Sequence, residues 1–334
     1  MENVQKLIGN TPLVEIPHRG NKLYLKMEAS NPGLSIKDRV AFYVSEELEK
    51  SIGLSDKEVV EYSSGNLAIG LAQASKIWNF KLTLVVTSKT SADKIRLLQR
   101  YGVRLIMVNE DVHSEDELGF RGFAEKVAQV RRAIFIDQFH NPLNAQTHRM
   151  TTGPEIAWQM PDADYVFAPM GTGGTASGIA QHFKDIASKT EVVGVTPNSG
   201  IYYTRFHGLR DDRGPVKTTI EGVGEDFIPG NLKMELLGNI VEVRDKLAIK
   251  EVEWILEKTG LFVGGSSGMA LAAAKSFARD NKLRGKKIIV LCPDSGNRYL
   301  SNFKMPTKQE NGNDSDYAEL VRKYQQGDYP KIVE

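Results

Sequence analysis

The stretch Tyr165-Val-Phe-Ala-Pro-Met170, running directly into Gly171-Thr-Gly-Gly-Thr-Ala-Ser-Gly178, decides the fold. Its first six residues are too apolar to alternate as a half-exposed strand does, so they read as a strand buried on both faces, as in a parallel sheet. The next eight hold four glycines and open a helical pattern. Glycine lets the backbone approach an anion closely, and the N–H groups at a helix start carry partial positive charge. Gly171, Thr172, Gly173, Gly174 and Thr175 therefore read as a phosphate cradle between a strand and a helix. A tight strand-to-helix turn is the plainer alternative.

The same rhythm extends in both directions. Apolar runs occur at Leu23–Met27, Glu58–Tyr62, Leu82–Thr87, Val103–Val108, Ala133–Asp137, Val192–Thr196, Ile240–Val243 and Lys287–Cys292. Between them, stretches such as 67–78, 91–101, 174–187 and 267–280 carry apolar residues at helical spacing. Strand–helix alternation predicts an α/β fold of open, twisted parallel sheets flanked by helices. The chain divides into a smaller, mobile lobe over 38–145 and a larger lobe from 1–37 plus 146–305. Residues 306–334 form a polar tail with a short helix at Tyr317–Tyr324. Asn198–Thr219 breaks the pattern and reads as a long surface excursion.

Composition narrows the chemistry. Among 334 residues, 43 Lys+Arg face 42 Asp+Glu, a formal charge of +1, which leaves no electrostatic footprint for nucleic acid or an anionic membrane. The single cysteine, Cys292, excludes an intramolecular disulfide and a thiolate zinc cluster, and its apolar strand makes it a packing residue. No apolar run approaches the ~20 residues of a membrane helix, and the first residues do not resemble a signal peptide. The expectation is a soluble, cytoplasmic protein without a metal site.

Does the glycine-rich turn bind a dinucleotide? Gly171-x-Gly173-x-x-Ala176 matches that fingerprint formally, and an NAD-binding oxidoreductase follows as the different-class alternative. The fingerprint also wants an acidic residue at the end of the next strand, about 20 residues on. That strand ends in Thr196-Pro197-Asn198. A monophosphate fits better.

Three more signals sit at predicted element boundaries. In Asn31-Pro-Gly-Leu-Ser-Ile-Lys-Asp-Arg39, Ser35 and Asp38 have the spacing of a capping box, which puts Lys37 in the first turn of a helix. The positive dipole end there disfavours an ammonium ion. Lys37 reads either as a snorkelling surface lysine or as an amine of depressed pKa suited to Schiff-base chemistry. In Glu61–Ala72, Ser63, Ser64, Gly65 and Asn66 offer hydroxyl, amide and backbone donors for a carboxylate, and the same residues also make an ordinary helix N-cap. Val263–Met269, with Ser266, and Pro293–Leu300 are loops of small polar residues at predicted element ends. Ligands collect at strand carboxyl ends in such sheets.

Together these residues resemble the cysteine synthase and cystathionine β-synthase family, the fold type II pyridoxal-phosphate enzymes, tryptophan synthase β-like in fold. The match runs from Ile8-Gly-Asn-Thr-Pro-Leu13 to Arg298-Tyr-Leu300. The resemblance implies that Lys37 is the Schiff-base lysine for pyridoxal 5'-phosphate and that Asn66 contacts the cofactor's ring oxygen. It implies that Gly171–Thr175 hold the phosphate and Ser266 faces the ring nitrogen. Ser63, Ser64, Gly65, Asn66 and Gln138 then bind the substrate carboxylate. The implied reaction is β-replacement on O-acetylserine, O-phosphoserine or serine, with sulfide the commonest nucleophile, in a homodimer.

The sequence departs from the pattern at Leu67-Ala68, where the family usually has Thr-Gly. Similar sequences occur in relatives that join phosphoserine to glutamate. Ile220–Pro229 looks instead like the cystathionine-synthase branch, expected here without that branch's haem-binding leader or regulatory module. Homocysteine and glutamate thus stay open as nucleophiles. In the 198–219 excursion Tyr202, Tyr203, Arg205, His207, Arg210 and Arg213 are either a second anion anchor or a solvated loop.

Overall fold

The computed structural model describes residues 4–18, 20–108, 119–210 and 216–300. The polar tail, its short helix and Arg213 lie outside the described residues. In chain order the elements begin with β1 (Leu13–Ile16), β2 (Lys22–Met27), α1 (Lys37–Ile52), β3 (Glu58–Tyr62), α2 (Asn66–Ile77), β4 (Lys81–Thr87) and α3 (Ala92–Arg100). There follow β5 (Arg104–Val108), α4 (Phe120–Arg131), β6 (Ile134–Phe135), α5 (Pro142–Met150), α6 (Thr152–Gln159), β7 (Tyr165–Pro169) and α7 (Gly174–Asp185). The series closes with β8 (Glu191–Pro197), α8 (Ile201–Phe206), β9 (Asn239–Val243), α9 (Asp245–Thr259), α10 (Gly265–Asp280) and β10 (Lys287–Cys292).

The strands form two sheets, β1-β2-β10-β7-β8-β9 and β5-β4-β3-β6. Every pairing is parallel except β1 on β2. The α/β expectation holds, with one addition at the edge of the larger sheet. Leu13-Val-Glu-Ile16 lies between Pro12 and Pro17 and is too short to register as a strand by composition.

Burial explains why the central strands lack alternation. From Ile288 to Cys292 every residue of β10 is buried, because helices cover both faces of the sheet. Ile289 and Leu291 join Val166, Ile179 of α7 and Ile240 in one core. A second core joins Val40 and Val44 of α1, Leu67 and Leu71 of α2, and Leu82 and Leu84 of β4. Cys292 is buried, and burial pushes its thiol up to about 12, consistent with a packing role.

Most strand limits lie within a residue of expectation, and two segments differ by more. The strand expected over Ala133–Asp137 shrinks to Ile134–Phe135, since Ala133 N–H closes the end of α4 on Ala128 O and Asp137 turns left-handed at φ 53°. The 198–219 excursion contains α8, in which Tyr202 and Thr204 are buried, so it is not wholly a solvated loop.

Candidate active site

A cavity of about 530 Å³, counting its open mouth, lies at the carboxyl ends of the strands. Lys37, Asn66, Gly171, Thr172, Gly173, Thr175, Ser266 and Asp294 all line it. Five segments distant in sequence thus meet at one point.

Lys37 opens α1. The loop before it is pinned to the end of β10 by Ile36 N–H donating to Pro293 O (2.8 Å) and by a bridge between Ser35 and Asp294. Burial lowers the Lys37 amine to about 8, and the negative charge of Asp294 pulls the other way. Of the two readings of Lys37, the lowering agrees with the depressed amine, with desolvation as its main cause. The capping box does not form as predicted. Ser35 Oγ accepts from Lys37 N–H at 3.3 Å, while the Asp38 carboxylate turns back to the Gly33 N–H.

The glycine-rich loop leaves β7 and enters α7 at Gly174. Gly173 has φ +76°, and a Cβ there would lie 2.6 Å from Leu232 Cβ, so backbone and space both require glycine. The hydroxyls of Thr172 and Thr175 are buried and tied from behind: Asn144 Nδ2 donates to Thr172 Oγ1 (3.0 Å), and His148 Nε2 lies 3.1 Å from Thr175 Oγ1. The other ring nitrogen of His148 meets Thr152 Oγ1 at 2.9 Å. Burial, then the charges of Lys37 and Arg39, hold His148 well below the usual histidine range, so it is neutral. Tyr202 Oη donates to Gly171 O at 2.7 Å. Two hydroxyls and a helix start around a cavity form a donor set suited to a phosphate.

Ser266 lies in the first turn of α10, buried, against the same cavity. Ser63, Ser64 and Gly65 form the half-buried turn between β3 and α2 that leads into Asn66. Gln138 follows β6, the neighbour of β3, and its Nε2 donates to Tyr62 O at 3.2 Å. The predicted carboxylate residues are therefore side by side, of which Asn66 reaches the cavity wall. Beneath them Glu61 is fully buried, and burial, then Asp137, raises its carboxyl well above the ordinary range.

Among the described residues of the excursion, none lines this cavity. Arg205 and Arg210 are exposed, His207 Nε2 lies 3.3 Å from Ile240 O, and Tyr202 is spent on Gly171. Leu67 is 2% exposed within the core between α1 and α2 and does not line the cavity. Conversely, Asp294, His148 and Asn144 are not singled out in the sequence, and Tyr202 is read there as part of an anion anchor, not as the donor to Gly171 O. Asp294 sits in a segment recognised as site-facing, whereas His148 and Asn144 carry no local motif.

Comparison with known proteins gives this constellation its context. Residues 4–294 match the family described as pyridoxal-phosphate dependent enzyme. The chain is 34% identical over 306 residues to cysteine synthase A of Salmonella typhi, covering 88% of this chain and 92% of that one. The chain belongs to the pyridoxal-phosphate-dependent enzymes. Cystathionine beta-synthase of Saccharomyces cerevisiae is 32% identical over 318 residues, 90% of this chain and 62% of that protein. A crystal structure of O-ureido-L-serine synthase superposes with a TM-score of 0.84 at 27% identity, covering 95% of this chain and 99% of that one. A hydrogen sulfide-producing enzyme from Fusobacterium nucleatum gives 0.80 at 32%, covering 90% and 98%.

The cavity of this pyridoxal-phosphate-dependent enzyme has a chemistry that fits such a cofactor: an amine lowered to about 8, a buried hydroxyl pair at a helix start and a neutral serine. Family membership removes the dinucleotide alternative for Gly171–Ala176. Among the described residues no helix is long and apolar enough to cross a membrane.

Proposed function

We propose that this enzyme performs β-replacement on a serine derivative, O-acetylserine, O-phosphoserine or serine, with sulfide as nucleophile, giving L-cysteine. The observation that carries the proposal is Lys37, with its amine lowered to about 8, in one cavity with the glycine-rich loop, Asn66 and Ser266. The 34% identity to cysteine synthases across most of the chain supports the choice of sulfide.

In this reading Lys37 would hold the cofactor's aldehyde, Gly171–Thr175 its phosphate, Asn66 its ring oxygen and Ser266 its ring nitrogen. Bound there, the cofactor supplies the electron sink for charge developing at the substrate Cα. Ser63, Ser64, Gly65, Asn66 and Gln138 orient the substrate carboxylate, which turns the Cα proton toward Lys37. An amine near 8 has a substantial neutral fraction close to neutral pH, so Lys37 takes that proton and later returns it. Ser266 has no charge to stabilise a protonated ring nitrogen, which favours prompt loss of the leaving group. In this reading the protein is cytoplasmic with a moving 38–145 lobe, and the family resemblance adds a homodimer.

One observation favours a second reading. Glu221, in the segment resembling cystathionine synthases, lines the cavity with its Oε2 accepting from Lys94 Nζ at 2.6 Å, and the ammonium group of an amino-acid nucleophile such as homocysteine or glutamate would exchange with or share that pair. Assays of the three serine derivatives against sulfide, homocysteine and glutamate separate the readings. Turnover with sulfide is expected; turnover with an amino acid alone transfers the proposal to the second. Lys37→Ala is expected to abolish borohydride fixation of the cofactor and to cut kcat at least about 10²-fold.

A further inference from the structure

Apart from its charge on Lys37, Asp294 has no part in the chemistry described so far, yet it joins the loops that frame the cavity. Its backbone follows β10 and touches both loops that carry functional groups. It bridges Ser35, two residues before Lys37, and its carbonyl accepts from Gly264 N–H at 3.0 Å, two residues before Ser266. Its neighbour Ser295 bridges Val263. The residue is 3% exposed and lines the cavity. There its Oδ2 accepts from Asn66 Nδ2 at 2.6 Å, a contact across 228 residues of sequence.

We propose that Asp294 is a positioning residue that fixes the amide of Asn66 and provides the local negative charge for the ammonium form of Lys37. This rests on the reading of Lys37 and Asn66 as cofactor residues. The first half follows from donor inventory. An ionised carboxylate only accepts, so it holds the nitrogen end of the Asn66 amide toward itself and removes the alternative orientation. The second half follows from charge. Lys37 is desolvated, and Asp294 is the carboxylate whose field opposes that desolvation. Among the described residues, His148 is also coupled to Lys37 but is buried and neutral, and Glu221, which lines the same cavity, is paired with Lys94 Nζ at 2.6 Å. When Lys37 takes a proton in the cavity, the new ammonium faces an anion already in place.

The test compares Asp294→Asn with Asp294→Glu in the cofactor-loaded enzyme. Neutralisation is expected to move the acid limb of the kcat–pH profile down by about half a unit or more, since removing a nearby carboxylate lowers an amine's pKa. The charge-retaining variant is expected to keep the limb near wild type. Cofactor dissociation, followed by absorbance after dilution, gives the second readout. Asp294→Asn is expected to speed release several-fold in the wild-type background and to add little in an Asn66→Ala background, because its effect on holding the cofactor runs through that amide. Equal acid limbs in both variants together with additive release rates would overturn the proposal. Borohydride fixation of the cofactor in Asp294→Asn but not in Lys37→Ala shows the Lys37 reading intact, so the two failures are distinguishable.

Discussion

Gly173 shows how a single residue sets the site's geometry. Its φ of +76° places it in the left-handed region, where a side chain costs roughly 1–2 kcal/mol. The space is also taken, with Leu232 Cβ, Cα and N within 2.6–3.0 Å of where a Cβ would sit. Gly208 offers a control, at φ +64° with nothing within 4 Å. Gly208→Ala should therefore lose only the conformational term in urea denaturation and keep the cofactor. Gly173→Ala should lose more stability and release cofactor faster, because the loop must shift off Leu232. Equal behaviour of the two variants would mean that the loop tolerates displacement. At this scale the sequence was most informative where chemistry is local: Lys37 beside a Pro-Gly turn, and the glycine run at a strand end. Asp294 and His148 were illegible for the opposite reason, since Asn66 and Thr175 are 228 and 27 residues away from them.

Secondary elements separate the two possible meanings of Leu67. As a substrate-loop residue it would select the nucleophile; as a member of α2 it packs against α1. At 2% exposure among Val40, Val44 and Leu71 it belongs to the helix pair. Leu67→Ala is expected to cost about 2–5 kcal/mol, as truncation of a buried leucine does, while KM for each serine derivative stays within about twofold of wild type in the folded fraction. A changed nucleophile preference without loss of stability would reverse that assignment. Interior strands were legible because burial on both faces writes a continuous apolar run, as in β7 and β10. The edge strand β1 and the two-residue β6 lack that signature. Their existence depends on partners, β2 and β3, that composition does not identify. Likewise α8 is fixed by the long-range bond from Tyr202 to Gly171.

At the scale of the molecule, a buried charge cluster ties the helix that begins at Lys37 to the larger sheet. Arg39 of α1 forks onto Glu28 (Nε to Oε2 2.7 Å, Nη2 to Oε1 2.8 Å) and reaches Glu155 of α6 at 2.9 Å. Lys26 of β2, fully buried, pairs with the same Glu155 and donates to Thr11 O (2.6 Å) and Gln159 Oε1 (2.7 Å). Burial opposes ionisation of Glu155, but the hydrogen bonds and charges of Arg39 and Lys26 outweigh it and hold the carboxyl at about 2 against an ordinary 4.5. A depressed carboxylate contributes stability that is fully present above its unfolded value and is lost as pH falls through the folded one. The window is thus pH 4.5 down to about 2, and the contribution is on the order of 3 kcal/mol. Asp38 runs the other way, since burial raises it to about 7 and its penalty grows as pH rises from 3.8 toward 7. The acid side therefore isolates Glu155. Glu155→Gln leaves Lys26 and Arg39 short of an anion and is expected to cost roughly 3–5 kcal/mol at pH 7. Because wild type loses its own advantage in acid, the gap should narrow by about 2 kcal/mol at pH 3. Urea titrations of both proteins at pH 3, 5 and 7 measure it. A gap constant across that range would assign Glu155 to packing and remove the charge cluster as the tie between α1 and the larger sheet.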